Sequence, residues 1–288
     1  MNPGRGPSAS GRAGTQNDGG KTMRLWLQSA AALDTDARWA VYRDHLATHA
    51  RAVVRSGAEV EVHGTPIMVP EIDYAYVEYL HTRQFIEAGL TAGERGFSAF
   101  VLNCWDDPGL TELRSLLDIP VLSIGESSML AATMLGERFG LVPRNERVGA
   151  RVWRNVTAYG LASRAVAPVY CRVSLPDLGA AFAEPGPIID GFMEAAGRSI
   201  DQGAEVIIPA CGVLNLLLRI NTVTRIDDVP VLDGTAVALK LAEAMGDLWA
   251  AGVTVSRRTR YARPPAHVLE TVRVLYGEAA RSSAEPTI

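Results

Sequence analysis

This chain predicts an α/β fold of two pseudo-symmetric three-layer lobes with mainly parallel sheets and an active site in the cleft between them. Three observations lead there. A pattern over Ser98–Gly125 returns at Ala204–Gly234: an apolar strand ending in a cysteine (Cys104, Cys211), a turn, a short helix and a second strand. The second strands read Ile119-Pro120-Val121-Leu122 and Val229-Pro230-Val231-Leu232. The copies lie about 110 residues apart, which marks a duplicated unit with one thiol per half. Outside the copies, strands and helices also alternate with short Gly-containing joints, as parallel sheets covered on both faces require.

Taken in order, the apolar run Met23–Gln28 suits a buried first strand. Asp36–Ser56 has helical spacing (Trp39, Tyr42, Leu46, Val53) and stops at Gly57. Ala58–Val62 is the second strand, Val77–Ala92 a helix, and Phe97–Asn103 the strand that delivers Cys104. Asp106-Asp107-Pro108-Gly109 then opens a helix, with Asp as cap and Pro in the first turn. Glu126–Phe139 is an amphipathic helix. The second half runs as strand Gly140–Val142, helix Val148–Ala162, strand Val166–Val173, helix Ile188–Gln202 and strand Glu205–Pro209 before Cys211. Helix Leu214–Ile220, strand Val229–Leu232 and helix Thr235–Trp249 complete it. The expected division is a disordered leader at 1–22, lobe 1 from 23–125 plus 231–255, lobe 2 from 126–230, and a basic tail with one helix (His267–Arg281) at 256–288.

A net charge of −4 argues against nucleic acid or an anionic membrane as the main partner. No secretory h-region follows the leader, and no window reaches the roughly 18 apolar residues of a membrane span. Three cysteines far apart make no disulfide framework, so reduced thiols in the cytoplasm are expected.

A cysteine between a strand and a helix meets the positive end of the helix dipole and unpaired amides, both of which favour the thiolate. Gly212 lets the backbone approach a ligand closely. Two thiols facing one pocket from opposite lobes can remove a proton from one face of a carbon and return one to the other, which is racemisation or epimerisation without a cofactor. Their titrations are then coupled. Cys171, inside VAPVYCRV, reads as core. Ser127, Ser128 and Thr235 stand at helix N-termini, where capping is the ordinary role and binding a carbonyl or carboxylate the alternative. His45 and His49 stand at i, i+4 but lack a third ligand, and no GxGxxG or P-loop is present, so neither metal nor nucleotide is expected.

FVLNCWDDPGLTELRSLLDIPVLSIGESSMLAATMLGERFGLV resembles the aspartate/glutamate/hydantoin racemase superfamily, most closely its hydantoin and allantoin racemase branch. There the first cysteine is followed by an aromatic, an acidic residue and Asp-Pro-Gly-Leu. The likeness continues into the Cys211 segment and PVLDGTAVALKLAEAM, covering residues 23 to 250. It implies an active site between two lobes, no cofactor, Cys104 and Cys211 as the acid/base pair, and a helix after Leu232 that returns to the first lobe. It also implies a small-molecule substrate and self-association as a homo-oligomer.

The chain departs from the family's pattern at three places. Its first strand ends Leu27-Gln28-Ser29-Ala30 rather than Asn-Pro-Asn, Gly212-Val213-Leu214-Asn215 follows the second cysteine, and Trp105-Asp106 replaces the Asn-Thr of amino-acid racemases. These argue against free aspartate or glutamate and towards a hydantoin or another small compound with an acidic C–H beside a carbonyl. Candidate binding residues are Gln28, Ser29, Asn103, Trp105, Ser127, Ser128, Gly212, Val213 and Thr235; Trp105 either lines the pocket or packs under its turn. The rivals are a cysteine isomerase or decarboxylase of the maleate isomerase or arylmalonate decarboxylase kind, and a non-catalytic binder.

Overall fold

Side chains that alternate along two central strands set the architecture. In a computed structural model describing residues 22–282, β1 (Met23–Ser29) sends Leu25 and Leu27 to one face and Trp26 to the other. Its neighbour β3 (Ala99–Asn103) does the same, with Ala99 and Val101 opposite to Phe100 and Leu102. With β2 (Ala58–His63) and β4 (Val121–Ser123) they form a parallel sheet of order β2-β1-β3-β4. Helices α1 (Ala40–Val53) and α9 (Gly234–Ala250) bring Leu46 and Leu239 to one face; α2 (Ala75–Glu94) and α3 (Leu110–Leu116) bring Phe85 and Leu113 to the other.

The second sheet repeats that plan with less regular pieces. β5 (Phe139–Val142) pairs in parallel with β6 (Val206–Pro209). Single parallel bridges add Ala165 beside Phe139 and Val231 beside Ile207. In chain order the pieces lie second, first, third, fourth, as in the four-stranded sheet. The expected strand Val166–Val173 is an irregular extended segment instead. Its amides at Val166, Val169, Cys171 and Val173 bond to Phe139, Leu141, Pro143 and Arg144 carbonyls, but Pro168 has no N–H and Arg172 sits at φ 54°. The expected strand Val229–Leu232 is likewise cut short. Val229–Pro230 (β8) folds back on Arg225–Ile226 (β7) as an antiparallel pair, and only Val231 reaches the sheet.

The remaining helices are α4 (Ile124–Leu135), α5 (Glu146–Ala158), α6 (Leu175–Ala180), α7 (Gly186–Asp201), α8 (Gly212–Ile220) and α10 (Ala266–Ser282). α4 ends at Gly136 rather than running to Phe139, which opens β5. α9 lies against β1, β3 and β4, and also against α4, α1 and α8. One apolar core runs from Leu25 of β1 to Ile208 of β6. Apart from Thr22, the expected leader lies outside the described residues. No helix among them is long and apolar enough to cross a membrane.

Candidate active site

The carboxyl ends of β1, β3, β5 and β6 converge on one cavity of about 550 Å³ of atom-free space, counted to its open mouth. Cys104 and Cys211 both line it, as do Ser29, Asn103, Trp105, Gly212 and Val213. The strand period decides which polar residues of β1 reach it. Ser29 lies beside Asn103 across the β1/β3 ladder and shares its face, whereas Gln28 lies beside Leu102 and falls on the other. Gln28 is thereby corrected: its Oε1 accepts from Trp26 Nε1 at 2.9 Å and its Nε2 donates to the Ser29 carbonyl, away from the cavity.

Ser127, Ser128 and Thr235 do not line the cavity either. Ser127 and Ser128 are buried in the first half of α4 and do not cap it. Thr235 stands one layer behind: its Oγ1 donates to Asn103 Oδ1 at 2.9 Å and accepts from Asn215 Nδ2 at 3.4 Å. That turns the Asn103 amide so that Nδ2 donates to the Tyr42 hydroxyl at 3.2 Å. Gly212 brings protein, not only ligand, close to the backbone, since a Cβ there would sit 2.9 Å from the Asn103 carbonyl oxygen. The end of β3 and the start of α8 are thus pressed together.

The turn after Cys104 differs from the expected Asp cap. Gly109, at φ 71°, precedes α3 and no side chain caps it. Asp107 instead turns inward at φ 54°, accepts from Tyr159 Oη at 2.7 Å and bonds Ser123 Oγ. It also takes the Glu126 amide, so it serves α4 rather than α3.

Four polar or charged cavity residues were not among the candidates: Tyr42, Asp106, Arg144 and Arg151. Arg151 binds Asp106 Oδ2 through Nη2 at 2.7 Å, and Arg144 pairs with Asp73. Arg144 stands two residues past the end of β5, the first strand of the second sheet, so carrying the strand-end rule to that strand would have found it. Tyr42 was masked by its helical spacing, because only the fold shows that the buried face of α1 ends in a hydroxyl. Of the two histidines on that helix, His49 pairs with Asp233 at 2.9 Å and His45 stacks on Phe182.

Electrostatics reverse one expectation. Burial pushes both thiols above the ordinary cysteine value and outweighs the strand-to-helix position. For Cys104 the Asp106 carboxylate pushes further the same way, against its own amide contact with residue 106 and Arg151. For Cys211 the opposing influences are Arg144 and the Leu214 and Val213 amides of the α8 N-terminus. The two thiols are therefore unequal, with a carboxylate bearing most on one and a guanidinium on the other. Cys171 stays outside the cavity, half-buried against the core, its thiol pushed up to about 12 by burial.

The Asp/Glu/hydantoin racemase family model matches residues 40–242. The chain belongs to that family. It is 31% identical over 219 residues to a hydantoin racemase of Pseudomonas sp. (strain NS671), covering 75% of this chain and 84% of that one. It is 32% identical over 185 residues to a hydantoin racemase of Rhizobium meliloti, covering 62% and 71%. The solved allantoin racemase of Klebsiella pneumoniae superposes with a TM-score of 0.71 at 26% identity, over 84% of this chain and 94% of that one. Within the family these likenesses place the chain in the hydantoin and allantoin branch, and it is an isomerase of the racemase type.

Proposed function

We propose that this protein racemises a hydantoin or a related cyclic ureide at the carbon beside its carbonyl, without a cofactor, with Cys104 and Cys211 as the two bases. One observation carries this: cysteines from the two copies of the repeat border the same cavity. Of the two thiols, Cys211 has Arg144 and the amides of α8 to offset its burial, so it is the one that gives up its proton to become the attacking thiolate, while Cys104 beside Asp106 stays a thiol. The thiolate takes the proton, and the C–H electron pair moves onto the carbonyl oxygen as an enolate. The opposite thiol then gives its proton to the other face, leaving thiol and thiolate exchanged. In the reverse direction the roles swap.

Tyr42 is the donor for the enolate oxygen. Its hydroxyl accepts from Asn103 Nδ2 and, at 3.5 Å, from Ser29 Oγ, which leaves its own proton for the ligand. Burial raises its pKa far above the usual tyrosine value, so the proton is held. The polar needs of the cavity suit a ureide. The Trp105 indole N–H and Asp106 Oδ1 are buried without a partner among the described residues, and a ring that offers both a carbonyl and an N–H satisfies both.

The test is racemisation of one hydantoin enantiomer, followed by loss of optical rotation, in Cys104→Ser and Cys211→Ser. Each variant is expected to lose about a thousandfold or more in kcat, within the range of a positioned acid or base. Racemisation that survives either change near the wild-type rate overturns the two-base assignment.

A further inference from the structure

We propose that a buried relay behind the cysteine cavity fixes the direction of the hydrogen bond to Tyr42, with Asn215 and Thr235 as positioning residues that leave the Tyr42 proton for the ligand. This rests on the racemase reading above, with Tyr42 as enolate donor, and says what keeps that donor free. The relay runs from Asn215 of α8 through Thr235 of α9 and Asn103 of β3 to Tyr42 of α1, and all four side chains are buried. An amide can face either way and a hydroxyl can both donate and accept, so the direction has to be chosen at one end.

The choice is made at the start of α9. The Gly234 backbone N–H can only donate, and Asn215 Oδ1 accepts it at 2.9 Å. Asn215 Nδ2 therefore faces the Asp233 carboxylate at 3.1 Å and Thr235 Oγ1 at 3.4 Å. Because Thr235 accepts there, its one proton goes to Asn103 Oδ1 at 2.9 Å. Asn103 then presents Nδ2 to the Tyr42 hydroxyl at 3.2 Å, and the tyrosine oxygen has to accept. A second arm points the same way. The Ala31 N–H donates to Ser29 Oγ at 3.1 Å, so the Ser29 proton is free to face Tyr42 Oη at 3.5 Å. A relay turned the other way would have Tyr42 donate to Asn103, and the enolate would lose its hydrogen bond.

The experiment is a double-mutant cycle on kcat for racemisation of one hydantoin enantiomer, with Thr235→Val, Tyr42→Phe and the two combined. T235V keeps the side-chain volume and removes the hydroxyl that orients Asn103. It is expected to lower kcat about tenfold or more, within the cost of losing the donor itself, and to lower it no further once Tyr42 is Phe. Thr235→Ser keeps the hydroxyl and should stay near the wild-type rate. Asn103→Ala removes the amide and runs through the same cycle, which covers the case in which T235V does not fold. Either variant keeping the wild-type kcat, or slowing both backgrounds equally, overturns the relay while Tyr42 stands as donor. So does T235S as slow as T235V. An unchanged kcat in Tyr42→Phe removes the donor, and wild type that racemises no hydantoin removes the racemase reading; the relay falls with either.

Discussion

Asp107 holds the Cys104 turn in place and leaves a titration signature. Burial lifts its carboxyl to about 7 from 3.8, against the pull of Ser123 and Tyr159. Between those values the folded chain binds a proton that the unfolded chain has released. Stability contributed there falls as pH rises towards about 7 and stays at its lower level above it. His81, lowered to about 4 by burial, works in the opposite sense, since its contribution is lost as pH falls from 6.5 towards 4. The difference in urea stability between wild type and Asp107→Asn isolates the first effect, and it should change between pH 4 and 7 and be flat above. A flat difference throughout contradicts the buried carboxylic acid. Tyr42→Phe removes one hydroxyl while leaving the ring in the core. A loss of about 100- to 1,000-fold in kcat is expected, the usual cost of one oxyanion donor, and an unchanged kcat would exclude Tyr42 from the chemistry.

At the scale of elements, the site depends on a loop that the sequence left blank. Residues 64–74 carry Met68 and Ile72 to the cavity and Asp73 to its far side, where its carboxylate meets Arg144 and Asn145. Its carbonyl accepts from Arg151 Nη1 at 2.6 Å. Asp73→Ala leaves the buried Arg144 guanidinium unpaired, so a loss of about 3–5 kcal/mol is expected in urea unfolding. A change under 1 kcal/mol would mean that the pair does not hold the loop. Strands β1 and β3 were legible because both are mainly apolar over a short stretch, and their period would also have sorted Ser29 from Gln28 had it been applied. The helix α6 was missed although Ser174 and Asp177 form a capping box with Pro176 between them, a local signal readable without any fold. Val166–Val173 was misread for the opposite reason. Its β-branched residues suit a strand, but Pro168 and the left-handed Arg172 forbid a continuous ladder.

For the whole molecule, duplication was the readable fact, and it located the two cysteines at equivalent strand ends. What it could not convey is how the halves meet. Asp233 caps α9 locally and also binds His49 of α1 and Asn215 of α8, two contacts between separate elements of the chain. The Arg144 and Arg151 guanidinia likewise become cavity residues only through long-range pairing with Asp73 and Asp106. Sequence periodicity carries no record of such pairs. The central claim is that two thiols serve opposite faces of one carbon, and deuterium placement tests it most directly. A single hydantoin enantiomer is incubated in D2O and stopped at low conversion. The product enantiomer should carry deuterium at the stereocentre while recovered substrate remains protium, because each face is served by its own sulfur. Equal deuterium in both would mean that one base works both faces, and would contradict the account.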